Sequence, residues 1–111
     1  MAKYIFNTTG DFNRFVGTVQ DIAAHLSNTT EFKGGHRFTS NTAFLVYERY
    51  SLIGSSRVSL SIVVTESDGQ IQLAAISSGG SQAVVMKINT WGEEAFLNKF
   101  AKALEAAERT W

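Results

Sequence analysis

Ser77, Ser78, Gly79, Gly80, Ser81 and Gln82 form a short stretch of hydroxyls and an amide around paired glycines. A glycine-rich turn of this kind can aim several backbone amides at an anion. With Arg49 supplying positive charge, a phosphate or carboxylate cradle made by Arg49, Ser77, Gly79, Gly80 and Gln82 is the binding chemistry on offer. The structural explanation weighs more. Gly-Gly suits a hairpin turn, no helix follows at once, and the lysine-serine or lysine-threonine ending of a nucleotide loop is missing.

Tyr47-Glu48-Arg49-Tyr50 is the densest combination of charge and aromatic character. On a strand, successive side chains point to opposite faces, so Glu48 and Arg49 cannot pair and each needs its own partner. An inward charge without one is costly. It meets either a backbone or hydroxyl group at the end of the sheet, which is favoured, or the opposite charge of a ligand.

The only histidines, His25 and His36, have no spacing that ties them together. A general base needs a nucleophile or substrate within hydrogen-bond reach, and a metal needs several ligands; neither is supplied here. His25 suits a helix C-terminus and His36 a loop or strand in solvent. Catalysis would require His36 to meet the Ser77 to Ser81 cluster in space, which nothing in the spacing arranges. No catalytic residue, metal or cofactor is expected.

The elements that must position these groups are legible. Phe12, Phe15, Val16, Val19, Ile22, Ala23 and Leu26 recur at three-and-four spacing, which predicts a helix over Asp11 to Ser27 with Asp11 placed to cap it. Lys3 to Asn7 before it reads as a strand. Thr90-Trp91-Gly92-Glu93 has the spacing of a capping box, and Phe96, Leu97, Phe100, Ala103, Leu104 and Ala107 then mark one face of a second helix. Glu105 and Arg109 stand four apart for a weak ion pair.

Between the helices, Asp68-Gly69 predicts a two-residue hairpin turn that opposes Val64 to Leu73, Ile62 to Ala75 and Leu60 to Ser77. If Gly79-Gly80 turns the chain again, Leu73 faces Met86, Ala75 faces Val84 and Ile71 faces Ile88. Two turns then agree on one apolar inner surface in a meander from Ser56 to Asn89. Thr42 to Ser51 is a further strand of mixed faces. With Gly54-Ser55 as its turn, Arg49 falls beside Leu60; a turn one residue longer places Glu48 there. A strand at about Glu31 to Thr39 precedes it, giving the order strand, helix, four-strand meander, helix.

The same register puts Val63, Ala74, Ile76, Ala83 and Val85 on the sheet face away from the helices, joined by Phe44 and Val46 if Gly54-Ser55 is the turn. That face is too apolar for open water. Ser59, Ser61, Thr65, Gln72, Ser78 and Lys87 dilute it into an apolar centre with a polar surround, the composition of an association surface or a cavity wall.

Composition bounds the remaining choices. The chain has 111 residues, 44% of them hydrophobic, no cysteine and no proline. One domain over residues 1–111 with a continuous core follows, without disulfides, zinc or thiol chemistry. Ten basic and ten acidic side chains cancel without runs of either sign, so neither nucleic acid nor anionic lipid is an expected partner. No secretory signal or bilayer-spanning stretch is present, which suits a cytoplasmic protein.

Val46-Tyr47-Glu48-Arg49-Tyr50-Ser51, Arg57-Val58-Ser59-Leu60, the stretch from Ala75 to Ala83 and that from Lys87 to Leu97 together resemble a small family of uncharacterised bacterial proteins, a domain of unknown function. The resemblance covers most of the chain. It implies a compact bacterial cytosolic protein and carries no activity, ligand or catalytic residue. The order of elements also resembles a reduced helix-grip domain, whose curved sheet and final helix enclose an apolar ligand. The longer chain and additional elements of that group are absent here, which counts against a large cavity.

The expectation is therefore an α+β domain, an antiparallel meander sheet with an N-terminal and a C-terminal helix packed on one face. Its expected role is a non-enzymatic binding or assembly module, a homodimer formed through Phe44, Val46, Val63, Ile76 and Val85. A small-molecule ligand, anionic or apolar, held near Arg49, Ser77 and Gln82 is the alternative.

Overall fold

The computed structural model describes residues 1–51, 56–79 and 86–111. The elements are β1 (Ala2–Thr8), α1 (Phe12–Ala24), β2 (Thr30–Phe38), β3 (Thr42–Ser51), β4 (Ser56–Ser67), β5 (Gln70–Gly79) and α2 (Met86–Ala106). The strands form one antiparallel sheet in the order β1-β5-β4-β3-β2. Both helices pack on the same face, so the α+β arrangement is the expected one.

Local chemistry explains why the elements begin and end where they do. The Asp11 carboxylate accepts a hydrogen bond from the Arg14 amide at 2.8 Å, capping the first turn of α1. At its other end His25 is the C-cap residue. Asp68 and Gly69 have φ of 53° and 79°, the doubly left-handed geometry that matches the twist of a hairpin. This turn joins Ser67 to Gln70 and sets Val64 opposite Leu73, Ile62 opposite Ala75 and Leu60 opposite Ser77.

One core lies between the sheet and the helices. Phe12, Phe15, Val16 and Val19 of α1 and Phe96, Leu97, Phe100 and Leu104 of α2 bury their stripes against Leu60, Ile62, Val64, Ile71 and Leu73. Each large side chain so buried contributes about 1.5–3 kcal/mol relative to exposure. Trp111 packs edge-on against Phe15 with ring centroids 4.8 Å apart, and its Nε1 donates to Thr8 Oγ1 at 3.0 Å.

Four expectations are corrected. The stretch from Met86 to Asn89 is helical, so it cannot pair with β5 as Met86 opposite Leu73 and Ile88 opposite Ile71 require. β1 occupies that edge instead, setting Phe6 opposite Leu73 and Thr8 opposite Ile71. Alternating apolar residues on β5 specify a neighbour but not which segment supplies it. Gly80, Ala83, Val84 and Val85, on which the rest of that hairpin depends, lie outside the described residues.

Secondly, α2 begins at Met86, so Thr90 lies within the helix rather than at its N-cap. Thirdly, β3 and β4 pair as Ser51 opposite Ser56, which sets Arg49 opposite Val58 instead of Leu60. The shift is by two residues, so Arg49 keeps the covered face. Leu52 to Ser55, including the proposed Gly54-Ser55 turn, lie outside the described residues. Finally, α2 ends at Ala106, and Arg109 has φ of 85° beyond it. Glu105 therefore loses the helical spacing to Arg109 and instead accepts a hydrogen bond from the Tyr4 hydroxyl at 2.7 Å.

Candidate functional site

Two regions bring predicted site residues together. The first is the end of the sheet where β3 stops and β4 starts. Arg49 pairs across the ladder with Val58, and Val58 with Gly79, so these three share the helix-covered face of adjacent strands. Ser77 lies one step further in on the same face, opposite Leu60, and is 0% exposed. The Arg49 guanidinium stands 4.8 Å from the centre of the Phe96 ring, a cation–π contact with α2. Partial burial lowers its pKa by desolvation.

Glu48 points the other way and pairs with Arg57 at 3.2 Å on the open face. The two neighbouring charges thus find separate partners on opposite faces, as strand alternation requires. Gly79 has a steric role: φ is 111°, and a Cβ there would clash with the Arg57 carbonyl oxygen. Gly80, Ser81 and Gln82, the remainder of the expected anion cradle, lie outside the described residues.

The second region is the open sheet face. Cross-strand pairing aligns Ile5, Ala74, Val63, Phe44 and His36 in one row across all five strands. The next row is Lys3, Ile76, Ser61, Val46 and Gly34. Ile5, Val63 and Ile76 are 52%, 39% and 37% exposed. Of the expected surface residues, Phe44, Val46, Val63 and Ile76 lie on this face; Val85 lies outside the described residues. A hollow of about 240 Å³ lined by Ile5, Val63, Thr65, Gln72, Leu73 and Ala74 interrupts the face where the small Ala74 side chain stands.

Sequence reasoning misses Ile5 as a member of this row, because no local signal sets β1 beside β5. It also misses a cleft of about 180 Å³ between α1 and the β2–β3 edge, with Val16, Gln20, Phe32 and Leu45 among its walls. The signal was present in Gly34-Gly35, where the β2 register shifts and a Cβ on Gly35 would meet the Phe44 carbonyl oxygen at 2.6 Å. Two glycines inside a strand mark such a bulge.

The histidines do not assemble a catalytic pair. His25 is exposed, with Nδ1 2.7 Å from the Asp21 carbonyl oxygen. His36 stands on edge strand β2, its ring edge-on to Phe38 at 4.5 Å. Ser77 faces the helices on β5, with β3 and β4 between. Among the described residues, no group of three or more His, Asp or Glu side chains could hold a metal ion. Among the same residues, no helix is long and apolar enough to cross a membrane.

A five-stranded antiparallel sheet, covered on one face by two helices and open on the other, places the chain in the α+β class. Residues 1–108 match the Family of unknown function (DUF6054), and the chain belongs to that family. No curated protein sequence matches it.

Among solved structures, the fold is similar to that of the hypothetical protein jhp0584 from Helicobacter pylori, with a TM-score of 0.66 and 10% identity over 96% of this chain and 86% of that one. At that identity the likeness is one of fold. The di-domain ARO/CYC StfQ from the steffimycin biosynthetic pathway matches at a TM-score of 0.44 and 7% identity over 96% of this chain and 44% of that one. Ginseng major latex-like protein 151 from Panax ginseng matches at 0.29 and 12% identity over 97% of each chain. These two superpose too loosely to bear on the present chain.

Proposed function

We propose that this protein is a non-enzymatic assembly module that forms a homodimer through its open sheet face. The observation that carries the reading is the row Ile5, Ala74, Val63 and Phe44, flanked by Ile76 and Val46. An apolar centre of this kind has a polar border in Ser59, Thr65 and Gln72, which matches the layout of interfaces. The exposure of Ile5, Val63 and Ile76 in the isolated chain favours a covering partner.

The size is adequate. Five strands about 4.8 Å apart and roughly 27 Å long offer on the order of 650 Å² of flat area, near the ~800 Å² that each partner brings to a standard interface. Native mass spectrometry tests the reading: the wild-type chain should give a dimer mass, and Ile76→Asp a folded monomer. A wild-type monomer, or a dimer untouched by that change, would sink it.

A second reading, of a small-molecule site at the other face, is favoured by one observation. Arg49 and the buried Ser77 share the covered face at one end of the sheet, with Phe96 over the guanidinium. An anionic ligand with an apolar body fits that chemistry. A co-purifying small molecule lost on Arg49→Ala, with the circular dichroism spectrum retained, would support this reading; a molecule retained by the variant would exclude the site.

A further inference from the structure

Given the homodimer reading just proposed, on which this step rests, we infer that the two copies are related by a two-fold axis running along the strands at β4. The Phe44 ring of each copy then seats in the hollow at Ala74 of the other. The hollow and the knob lie in the same row, one strand to either side of Val63. Ala74 is on β5 and Phe44 on β3, with β4 between them.

Only one kind of two-fold makes them meet. A rotation about an axis parallel to the strands and level with β4 exchanges left for right, so β5 of one copy covers β3 of its partner. Ala74 then faces the partner's Phe44, Val63 faces the partner's Val63, and Ile5 faces the partner's His36. An axis perpendicular to the strands lays β3 on β3 and β5 on β5. Bulky Phe44 would oppose its own copy while the Ala74 hollow faced another hollow, which leaves unfilled space that close-packed interfaces avoid.

The charges on the same face agree. Glu31 pairs across the ladder with Glu48, setting two carboxylates side by side on the open face. Like charges directly opposite each other on adjacent strands are unfavourable. Arg57 neutralises Glu48 at 3.2 Å, and no described ion pair involves Glu31. At the opposite edge, Lys3 lies on the open face of β1, level with Gly34 on β2. The strand-parallel two-fold carries β1 over the partner's β2, bringing Lys3 within one row of the partner's Glu31. A lysine side chain spans that step, so each copy supplies the second cation that the other's paired carboxylates need.

Steric exchange tests the arrangement in the full chain, with sedimentation equilibrium reading the dimer dissociation constant. Phe44→Ala empties the knob and Ala74→Phe fills the hollow; each alone should weaken the dimer at least tenfold, about the effect of losing a central interface contact. The double variant should recover wild-type affinity to within about threefold, because knob and hollow have changed places. Lys3→Glu with Glu31→Lys provides an independent pair, in which the singles weaken the dimer and the double restores it.

If Ile76→Asp separates the dimer while both Phe44→Ala and Ala74→Phe leave it intact, the open face is the interface but this axis is wrong. A wild-type monomer overturns both readings. Should either steric variant fail to fold, the charge-exchange pair decides: no rescue by the double change rejects the axis.

Discussion

Trp111 Nε1 donates to Thr8 Oγ1 at 3.0 Å, fastening the stretch after α2 to the last residue of β1. The indole also meets Phe15 edge-on at 4.8 Å and Phe6 at 6.0 Å, while its backbone leaves no room for a side chain on Gly10. A Cβ at Gly10 would stand 2.7 Å from the Trp111 carbonyl oxygen, and φ there is 132°. Trp111→Ala should cost about 2–4 kcal/mol, somewhat below the ~3–5 kcal/mol for a fully buried aromatic because the ring is only partly buried. Urea titration followed by far-ultraviolet circular dichroism would measure it; a loss below about 1 kcal/mol would mean that the ring adds little to the core. Gly10→Ala should be destabilising in the same assay, since it meets both a clash and an unfavourable φ.

Glu48 and Arg49 are chain neighbours on opposite faces of the sheet and should differ in their response to salt. The Glu48–Arg57 pair is largely exposed, so Glu48→Gln should change stability by less than about 1 kcal/mol, and less still at high salt. Arg49 lies over the Phe96 ring on the covered face. Arg49→Ala should cost about 1–3 kcal/mol with little response to salt. Denaturant melts at low and high ionic strength separate the two, and equal salt sensitivity would contradict the face assignment.

Tyr4 and Glu105 couple β1 to α2. Burial, followed by the hydrogen bond to Glu105, raises the Tyr4 pKa above its ordinary value of 10.0. The folded chain therefore holds this proton more tightly than the unfolded one. Its contribution is fully present below about pH 10 and is lost as pH rises toward the folded-state pKa. Burial moves Tyr47 in the same direction. Tyr4→Phe should cost about 0.5–1.5 kcal/mol at neutral pH and shallow the alkaline fall in stability without abolishing it. An alkaline slope identical to wild type would show that Tyr4 ionises as freely as in the unfolded chain.

The parts of this fold legible in the sequence were those set by local chemistry. Asp68-Gly69 specified its turn, the turn specified the β4–β5 register, and period-two patterning then separated the covered from the open face. Asp11 and the α1 stripe were readable for the same reason. The neighbour of β5 was not, because the alternation on Leu73 and Ala75 demands a partner without naming one, and Tyr4 and Phe6 satisfy it as well as residues after Gly80 could. The Thr90 capping box shows the converse: a valid local signal sat inside a longer helix. For the proposed open-face site, Phe44, Val46, Val63 and Ile76 followed from periodicity, whereas Ile5 depended on a pairing between distant segments.

That distant pairing has a consequence for how the molecule assembles. β2 to β5 connect through short links and can zip up one hairpin at a time, whereas setting Ile5 beside Ala74 closes a loop of more than half the chain. Ordering entropy rises with loop length, so it falls most heavily on that pairing. Until β1 arrives, β5 presents a bare apolar edge. β1 precedes β2 to β5 in the chain yet pairs only with β5, so during synthesis it must wait for the last of the five strands to be made.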